Sequence, residues 1–257
     1  MTSAPLTVIH SRDNAFVKDL RRLAQDSTAY RKQGRVWLEG DHLCSAALQR
    51  GVRPAIAVFS ESFWPQAPAM YAQAAAKVIV LADGLFADIS GLESPAPMGF
   101  VVDAAPHQGL RPGVATVVLD RVQDAGNVGS ILRSASAFGF RQVAALKGGA
   151  ALWAPKVLRA GMGAHFALDL VEGLALEDLA ALDVPLVVTS SHEGDLLHRA
   201  SLPWPCAWVL GHEGQGVSPA LEALASRRIR IAQPGGEESL NVAAAAAICL
   251  HASGAAR

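Results

Sequence analysis

Apolar positions follow two regimes along this chain. Ahead of residue 105 they switch between helical spacing and short runs. Residues 14–25 (NAFVKDLRRLAQ) set Phe16, Val17, Leu20 and Leu23 on one face, the pattern of an amphipathic helix. Residues 35–40 (RVWLEG) read as a strand closed by a glycine turn, 41–50 as a helix, and 55–60, 78–82 and 99–104 as strands. Together these predict a small α/β unit. After residue 113 the apolar runs barely alternate: 114–119 (VATVVL), 142–146, 166–171, 185–190, 206–210 and 228–232. Strand-length runs of Val, Ile and Leu without alternation belong to strands covered on both faces. Helix-like stretches at 128–138, 153–160, 176–182 and 218–226 fall between most of them, and 239–253 closes the chain. This alternation predicts an α/β fold with a mostly parallel sheet and helices on both faces. The turn-rich stretch 105–113 (APHQGLRPG) separates the two regimes and reads as a linker, giving domains at 1–104 and 114–257.

Composition narrows the class. At 257 residues and 51% apolar content the chain has ample material for a buried core. No apolar run reaches the ~20 residues of a membrane span, and the opening MTSAPLTVIHSRDNAF lacks the pattern of a secretory signal. Cys44, Cys206 and Cys249 are far apart and fit neither a disulfide framework nor a zinc site, so they are expected to be reduced and buried in a cytoplasmic protein. The histidines have no metal-ligand spacing, and no metal is expected. A net charge of −1 argues against a nonspecific nucleic-acid coat. Residues 10–53 nevertheless carry nine Lys/Arg against five acids. Arg12, Lys18, Arg22, Arg31 and Lys32 are therefore candidates for phosphate contacts, with a solvated helix face as the competing reading.

In a parallel sheet, ligands gather beyond the carboxyl ends of the strands, and three loops there draw attention. The first, DRVQDAGNVGSILRSASAFGF (120–140), turns through Gly126 and Gly129 into a helix, with Asn127 at its mouth and Arg133 one to two turns in. Free amides at such a helix start suit an anion, and an arginine beside them can clamp a phosphate; an ordinary strand–helix turn would look the same. The second, LGHEGQGVSP (210–219), sets Gly211, Gly214 and Gly216 around Glu213. It fails as a dinucleotide fingerprint, because the order is GxxGxG and no acidic residue follows at the required distance. The third, 231–252, turns at Pro234-Gly235-Gly236 and crowds Glu238, Ser239 and Asn241 ahead of an alanine-rich helix that Ser239 or Asn241 can cap.

In this order the loops resemble the SpoU/TrmH family of RNA ribose 2′-O-methyltransferases, within the SPOUT superfamily. The motifs stand here as Asn127-Gly129-Ile131-Arg133-Ala135, Gly211-Glu213-Gly216 and Ser239-Leu240-Asn241-Val242-Ala245. The likeness covers about 113–257. Residues 10–104 look like the family's substrate-recognition domain, similar to a ribosomal-protein RNA-binding fold. The resemblance implies a trefoil knot in the carboxyl-terminal half, a homodimer, and S-adenosylmethionine held by Thr189 (or Ser190), Gly211, Gly216, Ile231 and Leu240. It nominates Arg133, Asn127, Glu213, Ser239 and Asn241 for catalysis on rRNA or tRNA. One segment departs: in PKVLRAGMGAHF (155–166), Gly161 stands where relatives often carry serine.

The implied reaction is an in-line displacement at the donor's methyl group, so alignment is the main demand on the protein. A guanidinium stays protonated. Arg133 is therefore expected to grip a phosphate and the attacking oxygen, with Asn127 orienting Arg133 or the ribose and Glu213 pairing with Arg133 or positioning substrate. Ser239 and Asn241 are expected to bond the nucleotide. A catalytically inactive RNA-binding relative of the same fold, and a nicotinamide-dependent oxidoreductase, are the alternatives.

Overall fold

A computed structural model describes residues 5–92, 94–104, 109–236 and 239–254. The chain divides into two units, 1–106 with 153–166, and 107–152 with 167–257.

The first unit contains β1 (Leu6–Ile9), α1 (Ala15–Gln25), α2 (Ala29–Gln33), β2 (Arg35–Glu39), α3 (Asp41–Gln49), β3 (Ile56–Ser60), α4 (Ala69–Ala74), β4 (Lys77–Leu81), α5 (Asp83–Ile89) and β5 (Met98–Asp103). Its sheet runs β1-β4-β3-β5-β2, with β1, β4 and β3 parallel and β5 antiparallel to both its neighbours. Asn14 caps α1 by accepting the Phe16 N–H at 2.9 Å, and Val17, Leu20 and Leu23 face inward as their spacing requires.

The second unit begins with β6 (Thr116–Leu119), α6 (Ala125–Ala137) and β7 (Gln142–Leu146). The chain then forms α7 (Pro155–Gly161), which packs on β2 and α1 and so belongs to the first unit. Gly163, at φ +86°, completes that packing: a Cβ there would lie 2.5 Å from the Ala46 Cβ of α3. The departure at Gly161 has a steric reason, since a Cβ would stand 2.5 Å from His165 Cε1 and 2.8 Å from its Nδ1.

The remaining elements are β8 (Asp169–Leu174), β9 (Leu186–Thr189), β10 (Asp195–Leu196), β11 (Ala207–Leu210), α8 (Pro219–Leu224), β12 (Arg227–Arg230) and α9 (Val242–Gly254). The sheet order is β10-β12-β9-β11-β6-β7-β8, every pairing parallel. Its central strands β6 and β11 are buried along their whole length. Helix α9 rests on β11 through a hydrogen bond from Trp208 Nε1 to Ser253 Oγ, 2.8 Å. Ala246, Cys249 and Leu250 face inward, while Ala244, Ile248 and His251 form an exposed stripe at helical spacing.

Most predicted elements occur close to their expected positions; the differences have local causes. The strand expected at 166–171 begins at Asp169, because Phe166 packs against Trp153 within a 3-10 turn and pairing with β7 starts only at Asp169. The helix expected at 176–182 is a 3-10 helix, Glu177–Leu182, ended by Asp183 at φ +49°. Residues 153–160, read from sequence as part of the second domain, pack with the first unit. Of the expected linker, 105–108 lie outside the described residues. The rest is tied to the second unit: Arg111 N–H donates to Gln142 Oε1 at 2.8 Å, and its guanidinium pairs with Asp169 at 2.8 Å. The three cysteines are buried, and none is in a disulfide. Among the described residues no helix is long and apolar enough to cross a membrane.

Candidate active site

The carboxyl ends of β12, β9, β11 and β6, neighbours in the sheet, open into the segments that the sequence singles out. Their polar side chains interlock. Asn127 Nδ2 donates to Glu213 Oε1 at 3.1 Å, and Asn127 Oδ1 accepts from Asn241 Nδ2 at 3.0 Å. Glu213 also accepts the backbone N–H groups of Asp124 (3.0 Å) and Gln123 (3.2 Å). One asparagine thus joins three loops, one from each motif. Helix capping falls to other residues than Asn127 and Ser239. Asp124 caps α6 through the Asn127 N–H at 2.7 Å, and Asn241 caps α9 through Ala243 and Ala244 at 2.9 and 3.2 Å. Burial works to raise the Glu213 carboxyl, but the hydrogen bonds it accepts from Asp124, Asn127 and Gln123 outweigh that and hold it below its ordinary value.

A second anchor lies at the end of β6. Asp120 is buried, and its carboxylate accepts from Arg121 Nε (2.8 Å) and the Ser218 N–H (2.6 Å). Arg121, at φ +60°, also donates to Gln215 Oε1 at 3.0 Å, so the pair grips both sides of the 211–218 loop. Within that loop His212 and Gly216 exchange backbone hydrogen bonds of 3.0 and 2.8 Å, and His212 Nδ1 accepts the Gly214 N–H at 3.0 Å.

For Asp120, burial is the largest influence and pushes the carboxyl up, but the hydrogen bonds from Arg121 and Ser218 prevail and lower it. The folded value therefore lies below the unfolded one. The stabilisation is fully present above the unfolded carboxylate value of about 4 and is lost as pH falls through the folded value. Asp120→Asn is expected to cost about 2 kcal/mol at pH 7. The gap from wild type in urea unfolding should shrink as pH falls below the ordinary carboxylate range and through the lowered folded value; a gap that persists in acid would assign the cost to shape rather than charge.

These loops line a cleft of ≈410 Å³, within the range of small-molecule sites. Thr189, Gly211, Gly216, Ile231 and Leu240 all border it, from four separate segments, as do Glu213 and Ser239. Asn127 and Asn241 stand outside the lining and hold it in shape. Arg133 also lies outside, exposed on the face of α6 that carries Gly126 and Gly129; among the described residues it has no ion pair or hydrogen bond. The expected pairing of Glu213 with Arg133 is therefore replaced by the bond to Asn127. Glu238 lies outside the described residues. Sequence reasoning missed Asp120 and Arg121 as loop anchors. An acid at a strand's end beside an arginine was the available signal, but Ser218, which Asp120 holds, and Gln215, which Arg121 holds, are 98 and 94 positions away.

On the first unit, Arg12 pairs with Asp88 (2.8 Å), Lys18 with Asp13 (3.0 Å) and Arg22 with Asp19 (3.9 Å). The Arg31 guanidinium lies over the Tyr30 ring. All four and Lys32 are solvent-exposed.

Residues 115–251 match the model of the SpoU rRNA Methylase family, and residues 14–99 that of an MRM3-like substrate binding domain. The 23S rRNA (guanosine(2553)-2'-O)-methyltransferase RlmP of Bacillus subtilis is 29% identical over 95% of this chain and 97% of its own length. An uncharacterised tRNA/rRNA methyltransferase of Synechocystis is 30% identical over 97% of this chain and 94% of its own. The AdoMet-bound rRNA methyltransferase of Sinorhizobium meliloti superposes with a TM-score of 0.82 at 25% identity, covering 96% of this chain and 97% of that one.

Proposed function

This chain belongs to the SpoU rRNA methylase family, and from that premise we propose that it transfers a methyl group from S-adenosylmethionine to a ribose 2′-hydroxyl of ribosomal RNA. The observation that carries the reading is the Asn241–Asn127–Glu213 relay, which holds the three motif loops together beside one cleft.

The cleft suits the donor. Ile231, Leu240 and Val242 offer apolar surface for a planar base, and Thr189, Ser190 and the backbone around Gly211 offer polar groups for a ribose and an amino acid. S-adenosylmethionine supplies an electrophilic methyl and its own leaving group. The protein's work is alignment and charge. The glycine loop fixes the donor's pocket, and the Arg133 guanidinium holds the adjacent phosphate and stabilises negative charge growing on the ribose oxygen. Asn127, Glu213 and Asn241 act as positioning residues, because their polar atoms are spent on one another and on backbone N–H groups. Ser239, exposed at the cleft, is free to bond the nucleotide.

The exposed Ala244–Ile248–His251 stripe supports a homodimer built on α9. The departure of strand order from chain order supports the trefoil knot. Three buried cysteines outside any disulfide fit a reducing cytoplasm.

Incubating the protein with tritiated donor and rRNA from cells lacking the gene should place label on a ribose. Binding without label transfer would favour the inactive RNA-binding alternative. Asn127→Asp keeps the shape and the bond from Asn241 but sets a carboxylate against Glu213. Calorimetric titration should show donor affinity falling roughly tenfold, about 1.4 kcal/mol. An unchanged affinity would mean the relay does not shape the cleft.

A further inference from the structure

The first unit holds a concavity of its own, ≈390 Å³, formed by α1, the end of α2, and strands β2 and β5. Its floor is apolar: Leu20, Leu23 and Val101 are buried there. Phe16, half-buried, adds an aromatic ring. Around this floor stand a carboxylate, an amide and a guanidinium, from Asp19, Gln33 and Arg35. Gln33 gives one Nε2 proton to the Asp19 carbonyl (3.3 Å) and Arg35 its Nε proton to Asp103 (3.0 Å). Among the described residues, the Gln33 Oε1 and second amide proton and the Arg35 terminal nitrogens are uncommitted.

An aromatic and apolar slot edged by an amide and a guanidinium meets the two demands of an unpaired nucleobase, a surface for its face and hydrogen-bonding groups for its edge. The setting also supplies exposed cations, two of them in solvent-facing pairs with Asp13 and Asp19. The two helices that line the slot carry Lys18, Arg22, Arg31 and Lys32, all exposed, where phosphates flanking such a base would need partners. We propose that this slot binds one unpaired base of the RNA substrate, with Phe16 stacking on its face and Gln33 and Arg35 reading its edge. The proposal rests on the RNA-methyltransferase reading and gives the first unit a base-specific role beyond phosphate attraction.

The test is binding of the full-length protein to a fluorescent, unmodified transcript of large-subunit rRNA across a salt series. Phe16→Ala and Gln33→Leu should each weaken binding about tenfold while leaving the slope of log K against log salt unchanged. Lys32→Ala should instead reduce the slope by about one. Phe16→Trp, which keeps a stacking ring, should retain affinity. S-adenosylmethionine binding, measured alongside, should be unaltered in every variant, and an unchanged circular dichroism spectrum and urea-unfolding midpoint report that the first unit is intact. Wild-type affinity in both Phe16→Ala and Gln33→Leu, or loss only in step with a reduced slope, would overturn the proposal. Absence of both RNA binding and methyl transfer in the wild-type protein would overturn the parent reading and this one with it.

Discussion

Arg133→Ala is expected to reduce methyl transfer by about a hundred- to a thousandfold, the cost of losing one charge-stabilising donor, while S-adenosylmethionine binds as before. The asymmetry follows from where the residue sits. Arg133 is exposed on α6, outside the cleft lining, and among the described residues its guanidinium holds nothing in place. Its removal should leave the cleft intact and delete only the contact proposed to the reacting nucleotide, so kcat should fall without a change in donor affinity. Donor titration and single-turnover kinetics check both halves; normal turnover would remove Arg133 from the reaction. Mixing Arg133→Ala chains with Gly211→Ala chains asks whose cleft the guanidinium serves. If the homodimer proposed on α9 forms, regained activity on mixing means the guanidinium reaches into the partner's cleft, and none means it serves its own.

The second large effect is at Gly211. A Cβ there would fall inside van der Waals contact of the Gly216 carbonyl carbon and the Val217 nitrogen. Both are backbone atoms, and the His212–Gly216 hydrogen bonds keep them close. The loop must spread to admit even a methyl group. Overpacking of this kind costs about 1–3 kcal/mol, so Gly211→Ala should weaken S-adenosylmethionine roughly ten- to a hundredfold in calorimetry. Gly214→Ala is the control: its nearest neighbour is the His212 ring at 3.8 Å, and donor affinity should stay near wild type. Equal losses in the two variants would show that the loop needs flexible glycines rather than the space at 211.

The second sheet was legible because β6, β7, β9 and β11 are continuous apolar runs, and burial on both faces leaves that mark in a sequence. Strand β1 was not: three of its four residues are exposed, so Leu6-Thr7-Val8-Ile9 shows no inward pattern. Strand β10 has two residues, too few for any period. Within the site, glycine spacing pointed to the cleft-lining positions, because close backbone approach restricts residue type locally. The relay through Asn127 was illegible for the opposite reason. Its bonds span 86 and 114 positions, and an asparagine near a helix start reads the same whether it caps or reaches away. Asp124 and Asn241 do the capping; which of two neighbouring polar residues caps depends on how the chain enters the helix, and that is set by the sheet.

The excursion of residues 153–166 has a practical consequence for anyone dissecting this protein. The chain leaves the second unit after β7, contributes α7 to the first, and returns at β8, so the first unit is not a detachable amino-terminal module. A fragment ending at residue 104 would lack the buried Val157 and Leu158 and leave their packing surface bare. A protease nick near residue 106 would cut the first unit itself in two, leaving residues 1–106 held to α7 by packing alone while α7 stays covalently in the carboxyl-terminal fragment. A chimera carrying a foreign recognition domain would have to replace two separated stretches together.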